Sequence, residues 1–129
     1  MKKTVLLLVV CTLLGLIASG CSLKDILGPR PFKAHAVDGV SQFTIQQVRF
    51  EYSWETDQMT ITNTATMLVS GRVILWDDYG ENRRGYSFSR LGLDRSVTYT
   101  EHYGDGDELK IVLNRDGIES ETFIRLYDH

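Results

Sequence analysis

From Phe43 onward, apolar and polar residues alternate in short runs separated by turn-forming residues, the period-two pattern of half-buried strands. In Phe43 to Tyr52 the apolar set moves from odd positions (43, 45) to even ones (48, 50, 52), which predicts one strand with a bulge near Gln46-Gln47. Gln58 to Thr64 puts Met59 and Ile61 on one face and threonines on the other. The most apolar segment, Thr66 to Asp77, reads as a central strand, long or broken at Ser70-Gly71. A turn-rich stretch over Asp77 to Gly85 follows, then strands at Tyr86 to Leu91 and Arg95 to Tyr103. Two hairpin signals close the chain, Gly104 to Asp107 and Asn114 to Gly117, flanking Leu109 to Leu113 and preceding Ile118 to Tyr127.

About seven strands with turns every eight to twelve residues, and no helical period longer than two turns, predict an all-β domain over 43–129. The expected architecture is an antiparallel β-sandwich of immunoglobulin-like or transthyretin-like kind, with a small closed barrel as the alternative. Nine threonines and thirteen aromatics against three alanines beyond residue 20 agree with strand over helix.

The first twenty residues follow a different plan. Lys2 and Lys3 precede a charge-free apolar run from Val5 to Ile17, and the small residues Ala18, Ser19 and Gly20 precede Cys21. This order of basic, apolar and small-residue regions is that of a signal peptide. At Ile17-Ala18-Ser19-Gly20-Cys21 the chain resembles the lipobox of bacterial lipoproteins, with Ala18 where that family favours Leu. The resemblance covers the leader (1–20) and Cys21 only. It implies cleavage before Cys21, a diacylglycerol on the Cys21 sulfur and a mature protein held to the membrane by its acyl chains. It also implies the outer membrane, facing the periplasm, because Ser22 rather than Asp follows the cysteine. In a host with one membrane, the outer leaflet of that membrane takes its place. Two other readings use the same residues: an uncleaved anchor over the twenty uncharged residues Thr4 to Leu23, and a plain secretory signal leaving Cys21 a free thiol. The strongly apolar run is short for a span, which favours cleavage.

Residues 21–42 hold both prolines and no sustained period, and read as a lipidated tether reaching about 25 Å, or as a tether in which Ala36 to Val40 adds an edge strand. Splitting the chain at Cys21 also changes its composition. Of 129 residues, 43% are hydrophobic, with 14 Lys+Arg against 17 Asp+Glu, but Lys2 and Lys3 leave with the leader and the mature balance is 12 minus 17, or −5. A net acid of this size is a poor nucleic-acid binder and is repelled by anionic lipid, so membrane contact runs through Cys21. With Cys11 discarded and Cys21 acylated, no thiol remains to pair.

Catalytic and cofactor motifs are missing from the sequence: no G-x-S-x-G, H-E-x-x-H, Walker loop or dinucleotide fingerprint occurs, and His35, His102 and His129 stand outside any motif. No catalytic, metal or cofactor residue is therefore assigned. Gly104-Asp105-Gly106-Asp107-Glu108 offers three carboxylates, but the EF-hand spacing fails and a solvated hairpin loop is the simpler reading. Asp77, Asp78 and Glu81, beside Arg83 and Arg84, read as a second solvated loop. Trp54, Trp76, Tyr79, Tyr86, Tyr99, Tyr103 and Tyr127 fit mostly core positions, with Tyr79 and one tryptophan expected to be exposed. The reading is a non-enzymatic, lipid-anchored protein-interaction or assembly module with an envelope protein partner. The alternative is a small ligand-binding domain for glycan or calcium.

Overall fold

The computed structural model describes residues 31–77 and 80–129, with residues 77 and 80–84 described by their backbone alone. The leader, Cys21, the first part of the tether, and Asp78 and Tyr79 lie outside the described residues. Ten strands are described: β1 (Phe32–Ala34), β2 (Ala36–Val37), β3 (Val40–Ile45), β4 (Val48–Ser53), β5 (Gln58–Asn63), β6 (Val69–Asp77), β7 (Gly80–Leu91), β8 (Ser96–Thr100), β9 (Glu108–Arg115) and β10 (Ile118–Leu126). They form two five-stranded sheets, ordered β1-β10-β9-β6-β7 and β2-β3-β4-β5-β8. The sheets pack face to face as the expected β-sandwich, antiparallel except where β1 runs parallel to β10. Among the described residues no helix is long and apolar enough to cross a membrane.

Period two sets the core. In β4, Val48, Phe50 and Tyr52 are buried while Arg49, Glu51 and Ser53 are not. Register then carries this face across the sheet, since Phe43, Phe50, Ile61 and Val97 are successive cross-strand partners, as are Tyr52, Met59 and Tyr99. Opposite them, Val73 with Ile111 and Leu75 with Leu109 and Ile124 supply the facing layer. Within a row, directly opposed large side chains each add a few tenths to about 1 kcal/mol beyond burial. Phe43 and Phe50 stack with centroids 4.9 Å apart.

The parity change at Gln46-Gln47 is a hairpin turn, not a bulge. Ile45 pairs with Val48, and both central residues have positive φ (49° and 63°), as a two-residue turn of type I′ requires. A two-residue turn makes odd positions on one strand face even positions on the next, which is the shift seen in the sequence. Asp38-Gly39 and Asp116-Gly117 make the same turn between β2 and β3 and between β9 and β10.

The tether boundary at residue 42 is also corrected. Phe32 to Ala34 pairs with Ile124 to Leu126, and Val40 to Ile45 is a full strand of the second sheet. Ala34 is buried because it sits beside Leu126 in the core. The folded unit therefore begins at about Pro31, and β1 and β2, with the division of the expected strand over 43–52 into β3 and β4, bring seven strands to ten.

The expected central strand is β6, flanked by β9 and β7, with register shifts between Val69 and Gly71 and between Ile74 and Trp76. Gly71 is required there: a Cβ would stand 2.5 Å from the Val112 carbonyl oxygen and 2.8 Å from Phe88 Cζ. The stretch assigned to turn over Asp77 to Gly85 is instead mostly strand, since Asp77 pairs with Gly80 and Trp76 with Glu81.

Candidate functional site

Gly104 to Asp107 is not a hairpin. It carries the chain from β8 in one sheet to β9 in the other, and its residues close on the end of β10. Gly106 N–H donates to the Leu126 carbonyl (2.7 Å) and Leu126 N–H to the Asp107 carbonyl (2.8 Å). The acids are engaged by the chain itself. An Asp107 oxygen accepts from Gly104 N–H (2.8 Å), an Asp105 oxygen accepts from Asp128 N–H (2.8 Å) and lies 3.4 Å from His129 Nδ1, and Glu108 lies 4.0 Å from Arg125. Pointed at separate partners, they do not converge; among the described residues no group of three or more His, Cys, Asp or Glu is arranged to hold a metal ion.

The same end of the sandwich gathers the three histidines, which are far apart in sequence. His35 stacks on Tyr127 (5.0 Å) and its Nδ1 is 3.0 Å from the His129 carbonyl oxygen, while His102 Nδ1 lies 3.2 Å from an Asp57 oxygen. The His35 contacts fasten the start of the folded unit to its end. Ala36 N–H donates to the His129 carbonyl and Tyr127 N–H to the Ala34 carbonyl. Buried Ser41 completes the fastening across the sheets, donating to the Tyr127 carbonyl (2.9 Å) and accepting from Trp54 Nε1 (2.8 Å).

At the opposite end, Asn63 is fully buried and joins four segments. Its amide nitrogen donates to the Met67 and Leu91 carbonyls (2.9 and 2.8 Å), and its oxygen accepts from Ala65 N–H and Arg115 Nη2 (both 3.0 Å). Arg115 in turn donates to the Gln46 carbonyl. Met67, Leu68 and Leu93, in the loops on either side of this amide, and Ile118, paired with Arg115, are exposed large apolar residues at this end.

Neither tryptophan is exposed. Trp54 is half-buried edge-on to Tyr52, and Trp76 is half-buried against Phe123 (5.5 Å) with Lys110 Nζ 5.1 Å from its ring centre. Each sheet ends on the β7–β8 side and again at β1 and β2 on the far side. Among the described residues, β1 and β2 are three and two residues long and leave residues 118–123 of β10 and 42–45 of β3 without a neighbour there, whereas β7 runs for twelve residues and is paired along one side only. Short edges blunt strand addition and long ones invite it.

Between β7 and β8 lies a hollow of about 210 Å³ lined by Gly85, Tyr86, Tyr99, Thr100, Glu101 and Tyr103. Tyr86 stacks on Tyr99 with centroids 4.2 Å apart, and the Tyr99 and Tyr103 hydroxyls are hydrogen-bonded at 2.9 Å. Tyr52, beneath, donates to the Glu101 carbonyl (2.8 Å) and accepts from Tyr103 N–H (3.1 Å). Burial, reinforced by the Tyr103 hydroxyl, pushes the Tyr99 phenol well above its ordinary range, and burial raises Tyr52 as well. These phenols are neutral donors and acceptors suited to holding a ligand or partner in place. Alternation in the sequence places Tyr86 and Tyr99 inward, but their meeting across the sandwich edge depends on which strands end each sheet.

The fold and this edge define a small β-sandwich with one long open strand and an aromatic hollow beside it. Comparison of the chain with protein-family models, curated proteins and solved structures gives no match.

Proposed function

We propose that the chain is a lipid-anchored envelope lipoprotein whose sandwich is a non-enzymatic protein-interaction or assembly module. In this reading acyl chains on Cys21 hold it to the outer membrane facing the periplasm, and an envelope protein adds a strand to β7. The observation that carries it is the length of β7, twelve residues with one side unpaired among the described residues, against open stretches of six residues in β10 and four in β3 on the far side. Strand addition gains affinity from main-chain hydrogen bonds and needs no special side-chain motif, which suits a chain without one. The anchor reading draws its support from Lys2, Lys3, the apolar run and Ile17 to Cys21.

The test places a photocrosslinking residue in living cells at Ser89 on β7 and, as a control, at Thr60 on β5, which has a paired strand on both sides. Ser89 should join one dominant envelope protein and Thr60 should not. Equal yields at both positions, or only abundant porins and lipid, would refute the edge reading. Cys21→Ser should abolish lipid labelling and leave the precursor uncleaved; normal labelling would refute the anchor.

A further inference from the structure

We infer that the Asn63 end of the sandwich rests on the phospholipid leaflet that holds the acyl chains of Cys21, with Met67, Leu68 and Leu93 set into it. The inference rests on the lipid-anchor reading. Of the six exposed large apolar side chains among the described residues, four lie at this end: Met67 (51% exposed), Leu68 (44%), Leu93 (47%) and Ile118 (75%). The first three belong to two loops that touch. A Cβ on Gly92, next to Leu93, would lie 3.7 Å from Leu68 Cδ2, and the buried Asn63 amide ties both loops through the Met67 and Leu91 carbonyls. The patch amounts to a few hundred Å², short of the roughly 800 Å² per partner of a stable protein interface. For a lipid-tethered chain it suffices, because the anchor turns insertion into an intramolecular step.

Charge selects this end. The loops at the opposite end, 38–39, 54–57 and 101–107, together with residues 127–129, carry seven Asp and Glu and no Lys or Arg. At the Asn63 end, the loops 46–47, 64–68, 92–95 and 115–117 carry Asp94 and Asp116 against Arg95 and Arg115. Lipid phosphates therefore repel one end and meet no net charge on the other. The acidity that opposes contact with anionic lipid is concentrated on the end turned away. The anchor is also long enough. β1 runs parallel to β10 with Phe32 beside Ile124, so this strand is entered from the Ile118 end. Six residues of β10, about 20 Å, separate that level from Ile118. The ten residues 21–30 span at most about 35 Å. With the strands standing end-on to the leaflet, the open side of β7 stays clear of it, so strand addition is a separate matter.

The test uses the lipidated full chain in vesicles of phosphatidylethanolamine and phosphatidylglycerol that contain a phospholipid with a nitroxide on its acyl chain. In the anchor reading Cys21 is acylated and Cys11 leaves with the leader, so Thr66→Cys or, at the acidic end, Glu55→Cys takes a single fluorophore. Both positions are exposed. Nitroxide quenching of vesicle-bound protein should be at least about threefold stronger from position 66 than from position 55. Leu68→Glu with Leu93→Glu should bring the two positions level while the protein still floats with the vesicles, and Leu68→Met with Leu93→Met should keep the difference. Equal quenching in the parent chain would overturn the inference and leave the patch to a protein partner. A difference that survives the two glutamates would overturn it as well. Failure to float would refute the anchor together with this inference, whereas floating with equal quenching would refute the orientation alone.

Discussion

Replacing Asn63 by alanine should be among the most damaging single changes in the domain. The side chain is fully buried and makes four hydrogen bonds, to the carbonyls of Met67 and Leu91 and from Ala65 N–H and Arg115. Truncation strands these partners unequally. Met67 and Ala65 lie in a loop that water reaches, so losing their bonds costs little beyond the net value of a hydrogen bond, about 1 kcal/mol or less each. The bond to the Leu91 carbonyl is buried, and an unsatisfied buried group costs about 1–3 kcal/mol. Together with the lost Arg115 bond, this gives a loss of about 3–4 kcal/mol, or about 12–25 °C in Tm for a domain near 100 residues. Urea unfolding of a chain starting at Ser22, followed by tryptophan fluorescence, measures it, with the midpoint falling and the denaturant slope unchanged. A loss below about 1 kcal/mol would mean that water replaces the amide and that the buried network does not hold the loops.

Gly71→Ala should cost at least about 2 kcal/mol, and trimming Phe88 to leucine in the same chain should not restore it, because the tightest contact is with the Val112 backbone carbonyl; thermal melts of the single and double variants decide. Alkaline pH should unfold the domain for a stated reason. The folded pKa values of Tyr99 and Tyr52 lie above the ordinary phenol value of about 10, so their contribution is intact below pH 10 and is lost as pH rises above it, by up to about 1.4 kcal/mol per unit for each phenol. Phenolate absorbance should rise in step with loss of structure, and early titration of every tyrosine before unfolding would contradict this. Millimolar calcium should leave Tm within about 1 °C of its starting value, since the acids of Gly104 to Glu108 already have partners within the chain; a rise of several degrees would restore the calcium reading.

The sandwich was legible because burial follows period two, and Val48, Phe50, Tyr52, Met59 and Ile61 declare it without help. Turn chemistry was legible only where glycine marked it. Asp116-Gly117 announces its hairpin, and Asp38-Gly39 between Val37 and Val40 carries the same signal inside a segment whose prolines suggested a tether. Gln46-Gln47 makes the same turn with two residues that seldom adopt positive φ, so only the parity change betrayed it, and parity alone does not separate a turn from a bulge. The Gly104 to Asp107 loop was misread for another reason. Its glycines would serve a hairpin or a crossover equally, and the choice is made by pairing partners far away in sequence, β5 for β8 and β6 with β10 for β9.

That dependence on distant pairing also explains why the candidate site was hidden. Tyr86 and Tyr99 each occupy an inward position, and an inward aromatic in a small sandwich normally means core. They become a wall of a hollow only because β7 and β8 are the last strands of their sheets on the same side, so the row that begins with Tyr52 and Met59 ends at Tyr99 with no further strand to cover it. Among the described residues the same topology gives β7 a partner on one side only. On the far side β1 and β2 cover part of β10 and β3, leaving residues 118–123 and 42–45 without a neighbour there, and the two ends of the folded unit are fastened through Ala34, Ala36, Tyr127 and His129. The bonds that join the two ends of the folded unit are thus made on the β1–β2 side, while β7 keeps the longest stretch of strand without a neighbour among the described residues.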